Sequence, residues 1–359
     1  MMKVHVQTEH KSYDVIIEQG ILNQAGSIIE KVAPASRYML IVDEQVATHY
    51  LQTFLQTFTH TAVHVSIVPS GEQSKSFAQY EDLLNDCFNY QLDRSSVIIA
   101  FGGGVIGDLA GFVAGTYMRG ISFVQVPTTL LAHDSSVGGK VAINLEKGKN
   151  MVGLFHQPEL VLYDPQLLKT LPEKEWRSGF AEIVKMGFIA DHDFLVWLEE
   201  EIDSLASISD EVLERMIERA IALKARIVQQ DEQELGIRGI LNFGHTLGHA
   251  IEAELGYGKV THGEAVMVGM AFALKFSERY HSIDLASDRY VAWIQSLGYT
   301  VEIPTSLGVE DLISRMMKDK KARHGTLHYV LLNALGKATI EPITAEELVA
   351  ELTVEKGDH

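Results

Sequence analysis

Ser96-Val-Ile-Ile-Ala-Phe101 is an apolar run that stops at three consecutive glycines, Gly102-Gly-Gly104. A run this short and this apolar predicts a strand buried on both faces. Directly after it, Val105-Ile-Gly-Asp-Leu-Ala-Gly-Phe-Val-Ala-Gly-Thr116 places apolar residues at helical period. Strand, glycine turn and helix make the unit of a parallel α/β sheet, and the helix start presents backbone N–H groups to an anion. Gly102, Gly104 and Gly107 fit G-x-G-x-x-G, though the glycines are denser than that fingerprint. A tightly packed turn accounts for some of them, so the motif points to nucleotide binding without fixing it.

The flanking segments suit such a sheet. Residues 3–18 alternate polar and apolar, which predicts a hairpin. Tyr38–Val42, Val63–Val68, Ser122–Val126 and Leu160–Tyr163 read as further strands, and residues 76–90 as an amphipathic helix. Asp43 ends one strand, where an acid binds a ribose hydroxyl or caps the next helix. Gly138, Gly139 and Gly148 stand among Lys140, Lys147 and Lys149. That basic, glycine-rich segment matters because the chain carries a net charge of −18. An anionic ligand needs a local cluster of cations against such a field, and nonspecific nucleic-acid binding is disfavoured.

At 359 residues the chain exceeds one compact core, and two domains are expected. Asp164-Pro165 and Leu171-Pro172 punctuate it, and the period turns helical from Glu173. The division expected is 1–172, α/β, and 173–359, mainly helical, with a short strand pair near 328–332 and 338–342. Cys87 is the only cysteine, so no intrachain disulfide forms and a cytoplasmic protein is expected. No secretory leader or membrane span is recognisable.

In the second half His245 and His249 stand one helical turn apart, with Arg238, Asn242 and His262 close in sequence. Paired histidines alone are a weak metal signal. Glu182 and Lys185, at i and i+3 among Phe180, Ile183, Val184 and Met186, form either a surface ion pair or a buried carboxylate. A buried Glu would complete a Glu/His/His set with an open position, the donor chemistry of a catalytic zinc. Lys224 falls on an amphipathic helix, 209–230, and Asp319-Lys-Lys321 precedes a break at Gly325.

Together these motifs resemble the 3-dehydroquinate synthases of the sugar phosphate cyclase family, over essentially the whole chain. The resemblance rests on Ser70–Lys75, Gly102–Asp108, Pro127–Thr129, Asp134–Lys140, Gly148–Met151, Ala181–Lys185, Arg238–Glu252, His262–Val266 and Asp319–Lys321. It implies a Rossmann-like NAD-binding α/β domain, a helical metal-binding domain and an active site in the cleft between them. It assigns Zn²⁺ (or Co²⁺) to Glu182, His245 and His262, and moves His249 from the metal to the substrate. NAD would be held by Asp43, by Ser70, Gly71, Glu72, Gln73, Ser74 and Lys75, and by Gly104, Val105, Ile106, Gly107 and Asp108. Thr128, Thr129, Lys140, Lys149, Leu167, Leu168, Lys169 and Thr170 complete that set. Asp134, Lys140, Lys149, Asn150, Lys185, Lys224, Arg238, Asn242, His249 and Lys320 would surround a sugar phosphate. Arg119 would reach the substrate of a second subunit in a homodimer.

The implied reaction takes 3-deoxy-D-arabino-heptulosonate 7-phosphate to 3-dehydroquinate and phosphate. It runs through transient oxidation by NAD, β-elimination, re-reduction, ring opening and an intramolecular aldol, as in the shikimate pathway. A sister cyclase, such as 2-deoxy-scyllo-inosose synthase, shares most motifs. A metal-dependent polyol dehydrogenase is a more distant reading, and that class typically has Asp where Glu182 stands. His133 and Val141 depart from the usual family residues, at positions that carry no assigned ligand.

Overall fold

The computed structural model describes residues 1–59, 62–146, 148–256, 258–318, 322–323 and 326–357. Its strands are β1 (Met2–Gln7), β2 (Ser12–Ile17), β3 (Tyr38–Asp43), β4 (Val63–Val68), β5 (Val97–Gly102), β6 (Ser122–Pro127), β7 (Lys140–Leu145), β8 (Gly148–Phe155), β9 (Leu160–Tyr163), β10 (Ala322–Arg323), β11 (Thr326–Ala334) and β12 (Lys337–Thr344). The helices of the first half are α1 (Ala25–Val32), α2 (Glu44–Leu55), α3 (Phe77–Asn89), α4 (Gly104–Thr116) and α5 (Ala132–Ser135). They continue as α6 (Glu173–Ala190), α7 (His192–Glu201), α8 (Asp210–Gln230), α9 (His245–Leu255), α10 (His262–His281), α11 (Ser287–Ser296), α12 (Val309–Lys318) and α13 (Ala345–Lys356).

The chain packs as two compact units, Met1–Leu171 with Leu213–Gln233, and Pro172–Val212 with Glu234–His359. The division differs from the sequence expectation at one place. Residues 213–233 join the first unit, where Lys224 bonds Asp134 at 2.7 Å and Glu232 accepts from Gln157 at 2.7 Å. An amphipathic period shows that a helix has a buried face; it carries no information on what covers that face.

The first unit holds a seven-stranded sheet in the order β1-β2-β9-β6-β5-β3-β4. The β1–β2 hairpin is antiparallel and the remaining pairs are parallel. Strand side chains alternate between faces. Met39, Ile41, Ile98, Ala100 and Phe123 pack with Leu83, Cys87 and Leu109 of α3 and α4. Tyr38, Leu40, Val42, Ile99 and Phe101 pack with Ile29 and Phe54 of α1 and α2. Helices on both faces explain why these strands read as unbroken apolar runs. The glycine-rich basic segment folds as a separate hairpin of β7 and β8 laid against α4, where Val141 crowds Gly111.

The second unit is helical, with a three-stranded sheet of β10, β11 and β12. The strand pair expected near 328–342 is longer than its sequence signal, because β11 and β12 pair from Thr326↔Thr344 to Ala334↔Lys337. The long helix α10 packs against α6, α9 and β11. Two glycines make that packing possible: a Cβ on Gly263 would collide with the Ser178 backbone, and one on Gly269 with the Gly244 carbonyl. Among the described residues no helix is long and apolar enough to cross a membrane.

Gly269→Ala should therefore lower stability by about 1–3 kcal/mol through overpacking. A urea unfolding midpoint reads the effect, and an unchanged midpoint would show that α10 moves aside at no cost.

Candidate active site

In a parallel sheet all strands end on the same edge, and loops of distant sequence meet there. Asp43 ends β3, the Ser70–Lys75 turn follows β4, the glycine turn follows β5, and Thr128 and Thr129 follow β6. The chain steps outward from β3 to β4 and then crosses back to β5, so β3 and β5 flank the topological switch. Both readings of Asp43 fit what is seen. Its Oδ1 caps α2, accepting from Gln45 N at 2.8 Å and Ser70 Oγ at 2.6 Å. All its hydrogen bonds among the described residues go to that oxygen, and Oδ2 remains available to a diol.

The α4 N-terminus carries Gly103 at its cap and no side-chain hydrogen bond to its first N–H groups. A Cβ at Gly103 would lie 2.9 Å from Thr129 and one at Gly104 3.0 Å from Ser135. The residues fit a pyrophosphate: uncapped N–H groups on a thirteen-residue helix with bare backbone above them. Val105 and Ile106 belong to the first turn of that helix, Gly107 rests on Gln125, and Asp108 points to Lys75. Leu167 and Leu168 are core residues, so in the Pro165–Thr170 turn these two offer a ligand only their backbone, beside the exposed Gln166, Lys169 and Thr170.

Lys75 is buried, and its Nζ bonds Asp108 Oδ2 at 2.7 Å and Asn150 Oδ1. Burial pushes this ammonium down, but Asp108 and Glu72 outweigh it and hold it above its ordinary value. Burial lifts the Asp108 carboxyl, and Lys75 offsets that only in part. Lys224 reaches the Asp134 carboxylate at 2.7 Å and also its backbone carbonyl. Lys140 is exposed and Lys149 half-buried on the β7–β8 hairpin, and Asn150 sits there with a left-handed φ of 55°. Arg119 is exposed, also left-handed (φ 70°), in the turn after α4. Lys147 and Lys320 lie outside the described residues.

In the second unit the open alternative at Glu182 closes. Residues Ser178–Ile189 of α6 are all buried, and Glu182 bonds Lys185 inside the protein. A surface ion pair is therefore excluded. Glu182 Oε1 faces Nε2 of His245 at 3.3 Å and of His262 at 3.4 Å, yet no hydrogen bond satisfies this buried oxygen. His249 joins them: one ring nitrogen from each of His245, His249 and His262 lies within 4.8 Å of the others. The backbone supplies the convergence. Gly244, at φ 78°, turns the chain so that α9 starts at His245, and the Thr261 capping box starts α10 at His262. An unsatisfied buried carboxylate facing nitrogen donors fits a divalent cation such as Zn²⁺ or Co²⁺.

The electrostatics agree. Burial raises the Glu182 carboxyl, but Lys185 and His245 outweigh it and hold it well below the usual carboxylate range. Burial pushes His245 down. Burial does the same at His262, but the two carboxylates it faces, Glu182 and the hydrogen-bonded Glu252, win and hold it at about 9. Arg238 is buried, on a 3-10 turn (Ile237–Asn242) separate from α9. Asn242 is on the same turn, its amide donating to Glu234 Oε1 at 2.8 Å.

Two carboxylates escaped the sequence reading. Glu252 is buried and its Oε2 accepts a hydrogen bond from His262 Nδ1 at 2.9 Å, which leaves Nε2 to face Glu182. It is seven residues from His245, hence on the same face of α9, and that spacing was the available signal. Glu234, which holds Asn242, lies in a loop with φ 56° and had no signal of its own.

A cation at this site displaces the His262 proton. Apparent zinc affinity should therefore climb with pH below about 9 and level off above it. In the metal-free protein the same raised pKa stabilises the fold fully below 6.5, and that contribution is lost as pH rises through about 9. Chelator competition reads the first and thermal unfolding of wild type against His262→Asn reads the second. Two flat profiles would show that the ring is not held as described.

Comparison with known proteins agrees with this geometry. Residues 65–178 match the 3-dehydroquinate synthase N-terminal family and residues 179–322 the 3-dehydroquinate synthase C-terminal family. A 3-dehydroquinate synthase of Shouchella clausii (strain KSM-K16) is 56% identical over 355 residues, 99% of each chain. The crystal structure of a 2-deoxy-scyllo-inosose synthase, complexed with carbaglucose-6-phosphate, NAD⁺ and Co²⁺, aligns with a TM-score of 0.87 at 26% identity, covering 99% of this chain and 100% of that one. The 2-epi-5-epi-valiolone synthase from Streptomyces hygroscopicus subsp. jinggangensis 5008, with NAD⁺ and Zn²⁺ bound, shares the fold with a TM-score of 0.87 at 24% identity over 100% of both chains. The chain belongs to the 3-dehydroquinate synthase family.

Proposed function

We propose that Glu182, His245 and His262 hold the catalytic metal of a 3-dehydroquinate synthase, with His249 facing the substrate. The activity, that of a carbon–oxygen lyase in the shikimate pathway, follows from membership of the family. The observation that carries the ligand assignment is the buried Glu182 Oε1, unsatisfied between two imidazoles. A three-histidine set is the second reading, supported by the 4.8 Å grouping that includes His249. His249 is exposed and Glu182 fully buried, which favours the carboxylate as ligand.

Bound zinc, or cobalt, would act as a Lewis acid on substrate hydroxyls, and bound NAD would take a hydride and return it. The chain's own residues do the rest. Asp43 Oδ2 is suited to a ribose hydroxyl, and the α4 N-terminus with the Ser70–Lys75 turn to the remainder of the dinucleotide. Lys140, Lys149, Asn150, Lys185, Arg238 and Lys320 supply cations and donors for a phosphorylated substrate, and Lys224, Asp134, Asn242 and His249 orient its hydroxyls. Arg119 serves the substrate of a second copy, which makes the active form a homodimer.

Chelation should abolish turnover and Zn²⁺ should restore it. His245→Ala should lose the metal, whereas His249→Ala should keep it and lose turnover. Full metal content in His245→Ala would sink the ligand assignment. Glu252→Gln should weaken zinc binding about 10–100-fold by releasing the His262 ring. With 3-deoxy-D-arabino-heptulosonate 7-phosphate, many phosphates should appear per NAD and no NADH should accumulate. Stoichiometric NADH without phosphate release would contradict the hydride's return.

A further inference from the structure

Asn144 is not among the residues assigned above to cofactor, metal or substrate, yet three of them hang on it. Its backbone N–H donates to Lys75 O at 2.7 Å, which ties the free edge of β7 to the turn after β4. Its side-chain amide donates to Glu72 Oε1 at 2.7 Å. Its side-chain carbonyl accepts from Asn150 N at 2.8 Å. Asn150 occupies a left-handed backbone conformation that few residues tolerate, and its own side chain accepts from Lys75 Nζ. A half-buried amide has one donor group and one acceptor oxygen, and here each serves a different loop. Asparagine suits this role: aspartate would lack the donor and leucine both.

We infer that Asn144 is a positioning residue that locks the Glu72–Lys75 turn to Asn150, so that the cofactor turn and the substrate loop hold one mutual register. The inference rests on reading the Ser70–Lys75 turn as part of the NAD site. A second consequence is directional. Because the lock is made of two hydrogen bonds of opposite sense, it can be rebuilt with the roles exchanged. In Glu72→Gln/Asn144→Asp, the new carboxylate accepts from both the Gln amide at 72 and the Asn150 N–H, and the net charge is unchanged.

The test is NAD binding by calorimetry to the metal-loaded protein, with kcat and KM for the heptulosonate phosphate beside it. The backbone bond to Lys75 O survives the alanine and aspartate substitutions, so the variants should fold. Asn144→Ala should weaken NAD about tenfold and lower kcat, through loss of two hydrogen bonds. Asn144→Asp should weaken it about a hundredfold, because two carboxylates then face each other across a hydrogen-bond distance. Glu72→Gln/Asn144→Asp should recover most of that loss. Wild-type NAD affinity in Asn144→Asp, or a double variant no better than the single, would overturn the inference. Lys75→Ala serves as the separate control: undiminished NAD binding there would overturn the cofactor-turn reading itself.

Discussion

An ionised carboxylate inside the wholly buried stretch Ser178–Ile189 of a helix is the constraint around which the second unit is arranged. Glu182 on α6 has apolar neighbours in sequence and almost no water. Left alone it would take up a proton, since burial disfavours the charged form. Lys185 one turn along, and His245 and His262 from two other helices, prevent this. Bringing three helices close enough to do so needs Gly263 and Gly269 at the contacts of α10, and the left-handed Gly244 before α9. The cost falls on packing freedom, because no side chain fits at the two α10 glycines.

How much of this was legible in the chain depends on whether the signal is local. The strands of the first unit were readable because burial on both faces erases polar alternation, and the glycines mark where they end. The His245/His249 spacing was readable because a helix repeats every turn. Asp43 was ambiguous because both readings use the same residue at the same place. The packing shows the cap through Oδ1 and leaves Oδ2 over. Glu182 could not be separated from a surface pair by spacing, since burial depends on what α10 and α9 bring.

What was not legible is mostly relations between distant residues. Glu252 and His262 are ten apart with a loop between them. Asn144 and Glu72 are separated by seventy-two residues, and Lys224 and Asp134 by ninety. None of these pairs leaves a period in the sequence. The packing of residues 213–233 with the first unit is the same kind of fact: an apolar stripe announces a contact and not its partner. Arg238 and Asn242, close in sequence to His245, lie on a separate 3-10 turn, because Gly244 resets the backbone direction before α9.

A common device links the two units. Lys75, Lys185 and Lys224, all buried, each face a carboxylate of the same unit: Asp108, Glu182 and Asp134. In a chain of net charge −18, positive groups are surrounded by excess acid, and buried ammonium groups tend to lose their protons. A dedicated carboxylate fixes where each ammonium points, and at Lys75 it holds the ammonium above its ordinary value. The same pairing makes the positions intolerant of single changes, because removing either partner strands an unpaired buried charge. An anion arriving at such a site meets a cation already oriented and largely desolvated, so part of the ordering cost of binding has been met during folding. Acidic composition and anion chemistry are therefore compatible here: the fold stores its cations in neutral pairs.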